Sequence, residues 1–303
     1  MNVSMWGCVC AVVIGTLAAG GSHAQAHKTA AKPLTAATPA ANNAPTAALA
    51  EAQRLRKTSG METAARRVFN QVYFHPAATA DQKAQVRQAL AELNTATIFS
   101  TKVFDGDNLA YACTVRSGDT LSGLARQSGC PVEIIRQINA MKPADVLRAG
   151  STIKLLRGPF HAQVNKSACT LDIFATNPSG ERTLLWHARV SVGKNNSTPE
   201  GQFRVAGKAE KATWYPPSSM KAAHPAPVKW GEKGYPLGKD GLFMRLSGAE
   251  RATESIKGIG LHSTDDQAGI GKPRSHGCVR IGDKDVRQVY NLLTDGSDVR
   301  IAP

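Results

Sequence analysis

The sequence predicts a multidomain α+β protein made of an N-terminal helical segment, a small strand–helix–helix–strand module and a β-rich, sandwich-like C-terminal domain. The chain has 303 residues, which exceeds the roughly 100–200 residues of a typical single domain. Apolar residues recur every three or four positions over residues 47–100, as they do in amphipathic helices. From Phe160 onward, short alternating or apolar runs lie between turn-forming residues, which is typical of a β-sandwich or barrel.

Residues 1–26 predict a secretory signal peptide. An apolar run from Trp6 to Ala19 leads into small residues, and the tripeptides SHA and AQA within residues 22–26 suit a small-x-small cleavage site. The run is shorter than the ~20 residues that span a bilayer, although no Lys or Arg precedes it. A membrane anchor and a buried helix are the alternatives. We expect export to the periplasm or cell envelope, with no transmembrane span after signal removal.

The charge of the chain favours an anionic partner. The formal net charge is +14, and the first 26 residues contain no charged side chain, so cleavage would leave it unchanged. A strongly basic chain binds anionic polymers or surfaces. Because the sequence has no nucleic-acid motif and no basic stripe interleaved with aromatic residues, we expect an envelope polymer and no nucleic acid.

The segment after the signal peptide predicts a linker followed by helices. Residues 27–46 are rich in Ala, Pro, Thr and Asn without apolar periodicity, which indicates a flexible, disordered linker. Two or three short helices follow over residues 47–100, and Thr79 or Asp81 can cap one of them. A spacer and a partner-docking surface are equally open for this helical segment.

Residues 111–156 predict a compact module. Its predicted elements are a strand at 112–115, a turn at 117–118, a helix capped by Asp119 or Thr120, a second helix from Pro131 to near Asn139, and a strand at 153–155. The pattern V-x-x-G-D-T-L near its start and L-x-x-G-x-x-I-x-L at its end resembles a LysM module. That resemblance implies binding of glycan that contains N-acetylglucosamine, through Gly118, Asp119, Thr120 and Asn139. Gly118 and Asp119 would serve the turn and the cap in any case.

Strands dominate residues 159–303. The runs are HAQVNKSACTLDIFATN, ERTLLWHARVSVG, GQFRVAGKAE, GLFMRLSG and IKGIGLH, the last of which ends at His262. A helix follows Gly282-Asp283, and a final strand covers residues 298–301.

Four cysteines remain after removal of Cys8 and Cys10 with the signal peptide. Cys113 and Cys130 lie close in sequence within one module and form the candidate disulfide, although connectivity does not follow from sequence alone. Cys169 is expected to be a small buried residue.

Cys278 lies in the stretch SHGCVRI, where a thiol, a histidine and a glycine are adjacent. A thiol is a nucleophile only as a thiolate, so it needs a nearby base or a field that lowers its pKa. His276 lies two residues away, and His262 ends a predicted strand sixteen residues before Cys278. Gly277 permits close backbone approach and would help to present the N–H groups of residues 276–278 to a developing oxyanion.

A zinc site and a buried structural cysteine are the alternatives at this point. His262, His276 and Cys278, with His224 as a further candidate, would supply the ligands of zinc. Residues 27–303, which would remain after removal of the signal peptide, contain no Cys-x-x-Cys or His-x-x-x-His pair, so a reactive thiol is favoured. We expect no metal, and no motif implies a cofactor.

The wider pattern resembles a known family. The motif H-x(12)-S-H-G-C-V-R, from His262 to Arg280, resembles the signature of the YkuD-type L,D-transpeptidase catalytic domain. VSVGKNNSTPEGQF, TWYPP, YPLG and GIGLHST stand in the matching order, and the resemblance covers residues 159–303. The loop between His262 and Ser275 is short, and Arg280 stands where many members have Asn.

The resemblance implies roles residue by residue. Cys278 would attack a donor stem peptide to form a thioester, and His262, oriented by the carbonyl of Ser263, would be the general base. His276 is an alternative base. The remaining implied contacts, with the oxyanion, the loop or a substrate carboxylate, are those of His276, Gly277, Ser275 and Arg280.

The implied function is cross-linking of peptidoglycan stem peptides by transfer of the acyl group to an amine. L,D-carboxypeptidase activity and attachment of a protein to peptidoglycan by the same site are the enzymatic alternatives. A non-catalytic wall-binding protein is the alternative of a different class.

Overall fold

The structure, a computed structural model, describes residues 44–217, 220, 222 and 225–303. The predicted signal peptide, most of the predicted linker and His224 lie outside these residues. Among the helices that the structure describes, none is both long enough and apolar enough to cross a bilayer.

Three helices form the N-terminal part, as the apolar spacing predicted. They are α1 (Ala44–Arg56), α2 (Glu62–Phe74) and α3 (Ala80–Thr97). The hydroxyl of Thr79 accepts from the N–H of Gln82, and the Gln82 side chain accepts from the N–H of Thr79. This reciprocal capping box satisfies two amide groups that the first turn of a helix leaves free, so Thr79 rather than Asp81 caps α3.

The module in the middle of the chain has the predicted strand–helix–helix–strand order. Its elements are β1 (Ala110–Thr114), α4 (Leu121–Ser128), α5 (Val132–Ile138) and β2 (Thr152–Leu156). The two strands pair antiparallel. Thr120 caps α4 by accepting from the N–H of Gly123 at 3.0 Å, while Asp119 closes the preceding turn by accepting from the N–H of Arg116 at 2.7 Å.

The C-terminal domain is rich in strands, and this prediction is confirmed. The strands are β3 (Phe160–Asn165), β4 (Thr170–Thr176), β5 (Arg182–Gly193), β6 (Gly201–Ala209), β7 (Phe243–Gly248), β8 (Gly260–Ser263), β9 (Pro273–Ser275), β10 (Val279–Ile281) and β11 (Asp298–Ala302), and the helix α6 (Asp283–Leu292) precedes the last strand.

The strands of this domain form a ring. Hydrogen-bonded neighbours follow the order β10, β8, β7, β6, β11, β3, β4, β5, and β5 pairs in turn with β10 through Ser191 and Arg280. The sheet therefore closes into a barrel, and β9 lies parallel to β5 beside it. The strand pattern allowed a β-sandwich or a barrel, and the observed strand pairing is that of a barrel.

The module and the barrel share one apolar core. Buried side chains of α5, such as Ile134 and Ile135, belong to the same cluster as Phe160 of the barrel. Gly129 and Gly158 lie so close that a Cβ on Gly158 would stand 2.0 Å from the carbonyl oxygen of Gly129. The two parts are therefore packed against each other and cannot be separated without exposing apolar surface.

The helical segment docks on β5 of the same chain. A β-bulge leaves Leu185 without a partner on β4, since Ile173 pairs with Trp186 and Phe174 with Leu184. Asn70 of α2 accepts from the N–H of Leu184 at 2.7 Å. Asn94 of α3 donates to the carbonyl oxygens of Leu184 and Leu185 at 2.8 and 3.2 Å. Buried backbone groups need such partners, and the helices supply them.

The candidate disulfide between Cys113 and Cys130 is absent, because all four cysteines of the described residues are free. Cys113 is half-buried on β1, and its thiol is directed to the carbonyl of Thr114. Cys130 is fully buried before α5, and its thiol is directed to the carbonyl of Pro131. Although Cys113 and Cys130 lie close in sequence, their sulfur atoms are not bonded to each other. Cys169 is buried, as predicted.

Candidate active site

The predicted catalytic residues, Cys278 and His262, lie on neighbouring segments of the barrel wall, where β8 and β10 run side by side. These strands pair in parallel, with Val279 opposite Leu261 and Arg280 opposite His262. Cys278 immediately precedes β10, and its thiol lies against the segment that enters β8. The stretch that contains His262 and the stretch that contains Cys278 are thus neighbours in the barrel wall.

His262 is held in one orientation inside the barrel wall. Its side chain is buried, its Nδ1 lies 2.6 Å from the carbonyl oxygen of Ser263, and its ring stacks on Phe243 with 6.0 Å between centroids. A carbonyl oxygen only accepts, so Nδ1 carries the proton and Nε2 keeps a free lone pair. This is the orientation by Ser263 that the resemblance implied.

Burial also sets the charge of this histidine. Desolvation disfavours the charged imidazolium and lowers the pKa of His262 to about 4, and the positive charge of Arg280 adds to the decrease, while the hydrogen bond to Ser263 opposes it. His262 is therefore neutral at neutral pH. A neutral imidazole with a free nitrogen is chemically suited to accept a proton.

Ser263 has its own supports. Its hydroxyl donates to the carbonyl oxygen of Leu237 and accepts from the N–H of Leu242 at 2.9 Å. The residue that orients His262 is thereby fixed by the chain before β7. The role of Ser263 is structural, through its backbone carbonyl and its buried hydroxyl, and its side chain is not free to contact a ligand.

The Cys278 thiol is protonated at rest. It donates to the carbonyl oxygen of Gly258 at 3.6 Å. Burial raises its pKa, which a backbone hydrogen bond from Gly260 and the charge of Arg280 partly offset. A thiol of raised pKa reacts only if its proton is removed as it attacks, so chemistry at Cys278 requires a base within reach.

The loop from Ser275 to Cys278 is a closed turn. The hydroxyl of Ser275, which is buried, donates to the carbonyl oxygen of Cys278 at 2.5 Å and accepts from the N–H of Gly277 at 3.2 Å. Gly277 has a φ of +137°, which a residue with a side chain rarely adopts. Ser275 and Gly277 therefore shape this turn.

These contacts correct one expectation about the oxyanion donors. The N–H of Gly277 is already donated to Ser275. The N–H groups of His276 and Cys278 donate to no group within the described residues. Two of the three backbone amides proposed from sequence thus remain available to a negatively charged oxygen.

His276 differs from His262 in exposure. Its side chain is exposed. Its pKa is lowered by partial desolvation and by the positive charges of Lys194 and Arg280. Lys194 and Arg280 thus place positive charge at the mouth of the site, beside His276.

Arg280 is paired rather than free. Its Nη1 lies 3.4 Å from Oδ2 of Asp266, which also lies 3.9 Å from Nε of Arg274. Arg280 is the direct neighbour of His262 across the strand pair, so its charge acts on the reactive groups themselves.

Sequence reasoning missed several residues of this site. Thr198 donates to the carbonyl oxygen of Gly277, Phe243 stacks on His262, and Asp266 faces Arg280. Thr198 lies in the Ser-Thr-Pro portion of the motif VSVGKNNSTPEGQF. Its place in that motif was the sequence signal that could have pointed to it. The other two contacts depend on strand pairing and left no local signal.

The four predicted glycan-binding residues lie on two loops of the module. The amide of Asn139 donates to the carbonyl oxygens of Ile135 and Lys154 and accepts from the N–H of Lys154. This pins the end of α5 to β2. Asp119 and Thr120 are likewise engaged in the turn and cap, whereas Gly118 is exposed with a φ of +87°.

The predicted zinc alternative finds no support in the described part of the chain, where no three His, Cys, Asp or Glu side chains converge. His224 lies outside it. Cavities of about 450 and 320 Å³ open between the helical segment and β5, and their lining includes none of the residues around Cys278.

The structure joins a closed β-barrel, whose wall holds a buried, oriented histidine and a cysteine on neighbouring strands, to a small strand–helix–helix–strand module. Residues 159–301 match the family model of the L,D-transpeptidase catalytic domain, YkuD, and residues 113–155 match that of the LysM domain. The chain therefore contains a YkuD-type L,D-transpeptidase catalytic domain and a LysM domain.

Related proteins carry L,D-transpeptidase names. The chain is 26% identical over 195 residues to YkuD of Bacillus subtilis strain 168, which covers 62% of this chain and 96% of the relative. It is 23% identical over 198 residues to YcfS of Escherichia coli strain K12, which covers 61% of this chain and 59% of the relative. A solved L,D-transpeptidase from Mycobacterium smegmatis is 17% identical, covers 53% of this chain and 71% of that chain, and gives a TM-score of 0.34.

Proposed function

We propose that this protein is a peptidoglycan L,D-transpeptidase in which Cys278 is the nucleophile and His262 the general base. The observation that carries the proposal is that β8 and β10 pair side by side, which brings the partly buried Cys278 thiol and a neutral His262, whose Nδ1 is fixed by Ser263, onto neighbouring strands. The match of residues 159–301 to the catalytic domain supports the reaction class.

The proposed reaction has two acyl-transfer steps. In the first, Nε2 of His262 accepts the thiol proton as Sγ of Cys278 attacks the carbonyl carbon of the donor stem peptide. The C–N bond then breaks, the terminal D-amino acid leaves as an amine after receiving that proton, and a thioester remains. In the second step an acceptor amine attacks the thioester carbonyl, loses a proton to His262, and releases the thiol.

Backbone amides and cations are proposed to assist both steps. The free N–H groups of His276 and Cys278 would hydrogen-bond the tetrahedral oxyanion. Lys194 and Arg280 would attract the carboxylates of stem peptides, and Arg280 would exchange its contact with Asp266 for one with substrate.

The acceptor is proposed to be the side-chain amine of a diaminopimelate-type residue, which yields a cross-link between stem peptides. Water as acceptor would give carboxypeptidase activity, and a protein amine would attach that protein to the wall. The positively charged mouth of the site favours a substrate that carries carboxylates, which stem peptides do.

Mass spectrometry tests this proposal directly. Intact protein incubated with a tetrapeptide donor should gain the mass of the donor less that of the released D-amino acid, and Cys278→Ala should gain none. Muropeptides recovered after incubation with sacculi should contain new cross-linked dimers. Shortened stems without dimers would indicate trimming instead, and no adduct on folded, reduced protein would refute the enzyme proposal.

We further propose that the LysM domain holds the enzyme on glycan that contains N-acetylglucosamine, through the exposed turn around Gly118. Because this domain shares its core with the barrel, its deletion would damage the fold. A competition assay with the full chain avoids this problem. Oligomers of N-acetylglucosamine should displace the chain from sacculi, whereas glucose oligomers of equal length should not; retention at saturating N-acetylglucosamine oligomer would contradict the proposal.

The proposed site of action is the bacterial envelope, after export. The net charge of +14 and the LysM domain support contact with an anionic, glycan-rich wall. Fractionation of cells that express the chain should place the protein in the periplasmic or wall fraction, and recovery in the cytoplasm alone would contradict it.

A further inference from the structure

A buried threonine joins the active-site loop to the end of β5. Thr198 has no exposed surface. Its hydroxyl donates to the carbonyl oxygen of Gly277 at 2.8 Å and accepts from the N–H of Gly193 at 2.7 Å. The hydroxyl thus donates one hydrogen bond and accepts another, and these two bonds fix the orientation of the side chain.

This bond fixes the direction of the peptide unit that precedes the nucleophile. In a planar trans peptide, the C=O of Gly277 and the N–H of Cys278 point in opposite directions. Because Thr198 holds the C=O, the N–H of Cys278 is turned away from Thr198, and it donates to no described residue. Such an amide remains open to a bound oxyanion.

The flexibility of Gly277 makes this restraint necessary. With a φ of +137° and no Cβ, Gly277 can rotate its peptide units more freely than other residues. Ser275 restrains the N–H of Gly277 and the carbonyl of Cys278, but neither contact fixes the peptide between residues 277 and 278. Thr198 is the described side chain that does so.

The chain is packed closely where Thr198 stands. A Cβ on Gly193 would stand 2.3 Å from Oγ of Ser197 and 2.6 Å from the backbone N of Thr198. The glycine therefore lets residues 197 and 198 fold back against the end of β5, which places the Thr198 hydroxyl beside the N–H of Gly193. A Cβ on Gly277 would stand 3.5 Å from the carbonyl oxygen of Ser197, so the same loop lies against the active-site turn.

We propose that Thr198 is a positioning residue for acyl transfer, which orients the peptide between Gly277 and Cys278 so that the Cys278 N–H points at the developing oxyanion. The inference rests on the proposed function, since it assigns an oxyanion donor to the reaction at Cys278. A nucleophile's own backbone N–H is an established type of oxyanion donor.

The test compares two buried threonines. Thr198→Val removes the hydroxyl at nearly constant volume. Thr253→Val is the matched control, because Thr253 is also fully buried and its hydroxyl also bonds backbone groups, those of Ala249, Glu250 and Gln202, away from Cys278. Single-turnover acylation by the tetrapeptide donor should slow about 10- to 100-fold in Thr198→Val, since loss of a full oxyanion donor costs ~10²–10³, and it should stay near wild type in Thr253→Val.

A second reaction separates positioning from general damage. Alkylation of Cys278 by iodoacetamide is substitution at a saturated carbon and develops no oxyanion. Thr198→Val should therefore be alkylated at the wild-type rate while its acylation is slow, and Thr198→Ser should restore acylation.

Three outcomes would overturn the inference. They are equal slowing of alkylation and acylation, unchanged acylation in Thr198→Val, and failure of Thr198→Ser to restore the rate. If wild type itself forms no Cys278 adduct, the proposed function fails instead, so the two failures are distinguishable.

Discussion

The two histidines near Cys278 occupy opposite environments. His262, distant in sequence, is buried in β8 with its ring fixed by Ser263 and Phe243. His276, two residues from Cys278, is exposed beside Lys194 and Arg280. Sequence proximity to Cys278 is therefore a poor guide to which histidine has a fixed ring, because strand pairing decides which ring is oriented.

The two sides of Cys278 offer different chemical groups. The β8 side offers a neutral, immobile imidazole, whereas the loop side offers backbone amides and positive charge. A proton acceptor benefits from burial that keeps it neutral, and an oxyanion benefits from donors that are fixed and unpaired. Each side of Cys278 has the property that its proposed role needs.

The largest expected effect comes from the buried side. His262→Gln should lower the rate of Cys278 acylation by about 10²–10⁴-fold, the usual contribution of a general base. The variant's circular dichroism and melting temperature should be recorded, since it alters a buried position. A folded His262→Gln protein within threefold of the wild-type rate would contradict the assignment of the base.

At pH 5, the acylation rate should be about 30-fold higher than the rate that a histidine base of ordinary pKa would give. Because burial lowers the pKa of His262 to about 4, it stays mostly neutral at pH 5, where a histidine of pKa ~6.5 is only about 3% neutral. The acid limb of the acylation rate should therefore lie near pH 4, and activity should fall as the pH drops through it. Stopped-flow measurement between pH 3.5 and 8 checks this. A limb near 6.5 would indicate an unburied base.

Much of the fold was predictable because it depends on local pattern. Apolar periodicity located the three helices, and turn residues separated the strands of the barrel. Motif resemblance led to His262, Cys278 and the carbonyl of Ser263. These signals are carried by residues close together in the chain.

The errors and omissions concern distant pairings. Nothing near Asn94 in sequence shows that it completes the bulge at Leu184, so the docking of the helical segment on β5 was not predictable from local pattern. The candidate bond between Cys113 and Cys130 followed from proximity in sequence, while the fold directs the two thiols to different carbonyl groups. Thr198 belongs to the same group of omissions, since its partner Gly277 is reached only after the barrel closes.

A smaller effect should follow from changing the charge that Arg280 faces. Asp266→Asn removes the carboxylate 3.4 Å from Arg280, so the cation acts more strongly on Cys278, whose pKa it already lowers. Iodoacetamide alkylation at fixed pH should accelerate about two- to five-fold, the range of a partly exposed ion pair. Asp265→Asn, an exposed neighbour, is the matched control and should change little. Slower alkylation in Asp266→Asn would show that the carboxylate supports the thiolate by another route.

The smallest effect should come from the exposed histidine, and it completes the comparison. His276→Gln keeps the backbone N–H that is proposed to bind the oxyanion and removes only a solvent-facing ring, so acylation should fall by no more than about threefold, since exposed side chains contribute little. Its acid limb should coincide with that of wild type, because the titrating group is His262. If instead His276→Gln were slower than His262→Gln, or shifted the limb, the exposed ring would be the base. The orientation of His262 by Ser263 would then be structural, and the proton acceptor would lie on the loop side of Cys278 instead of the β8 side.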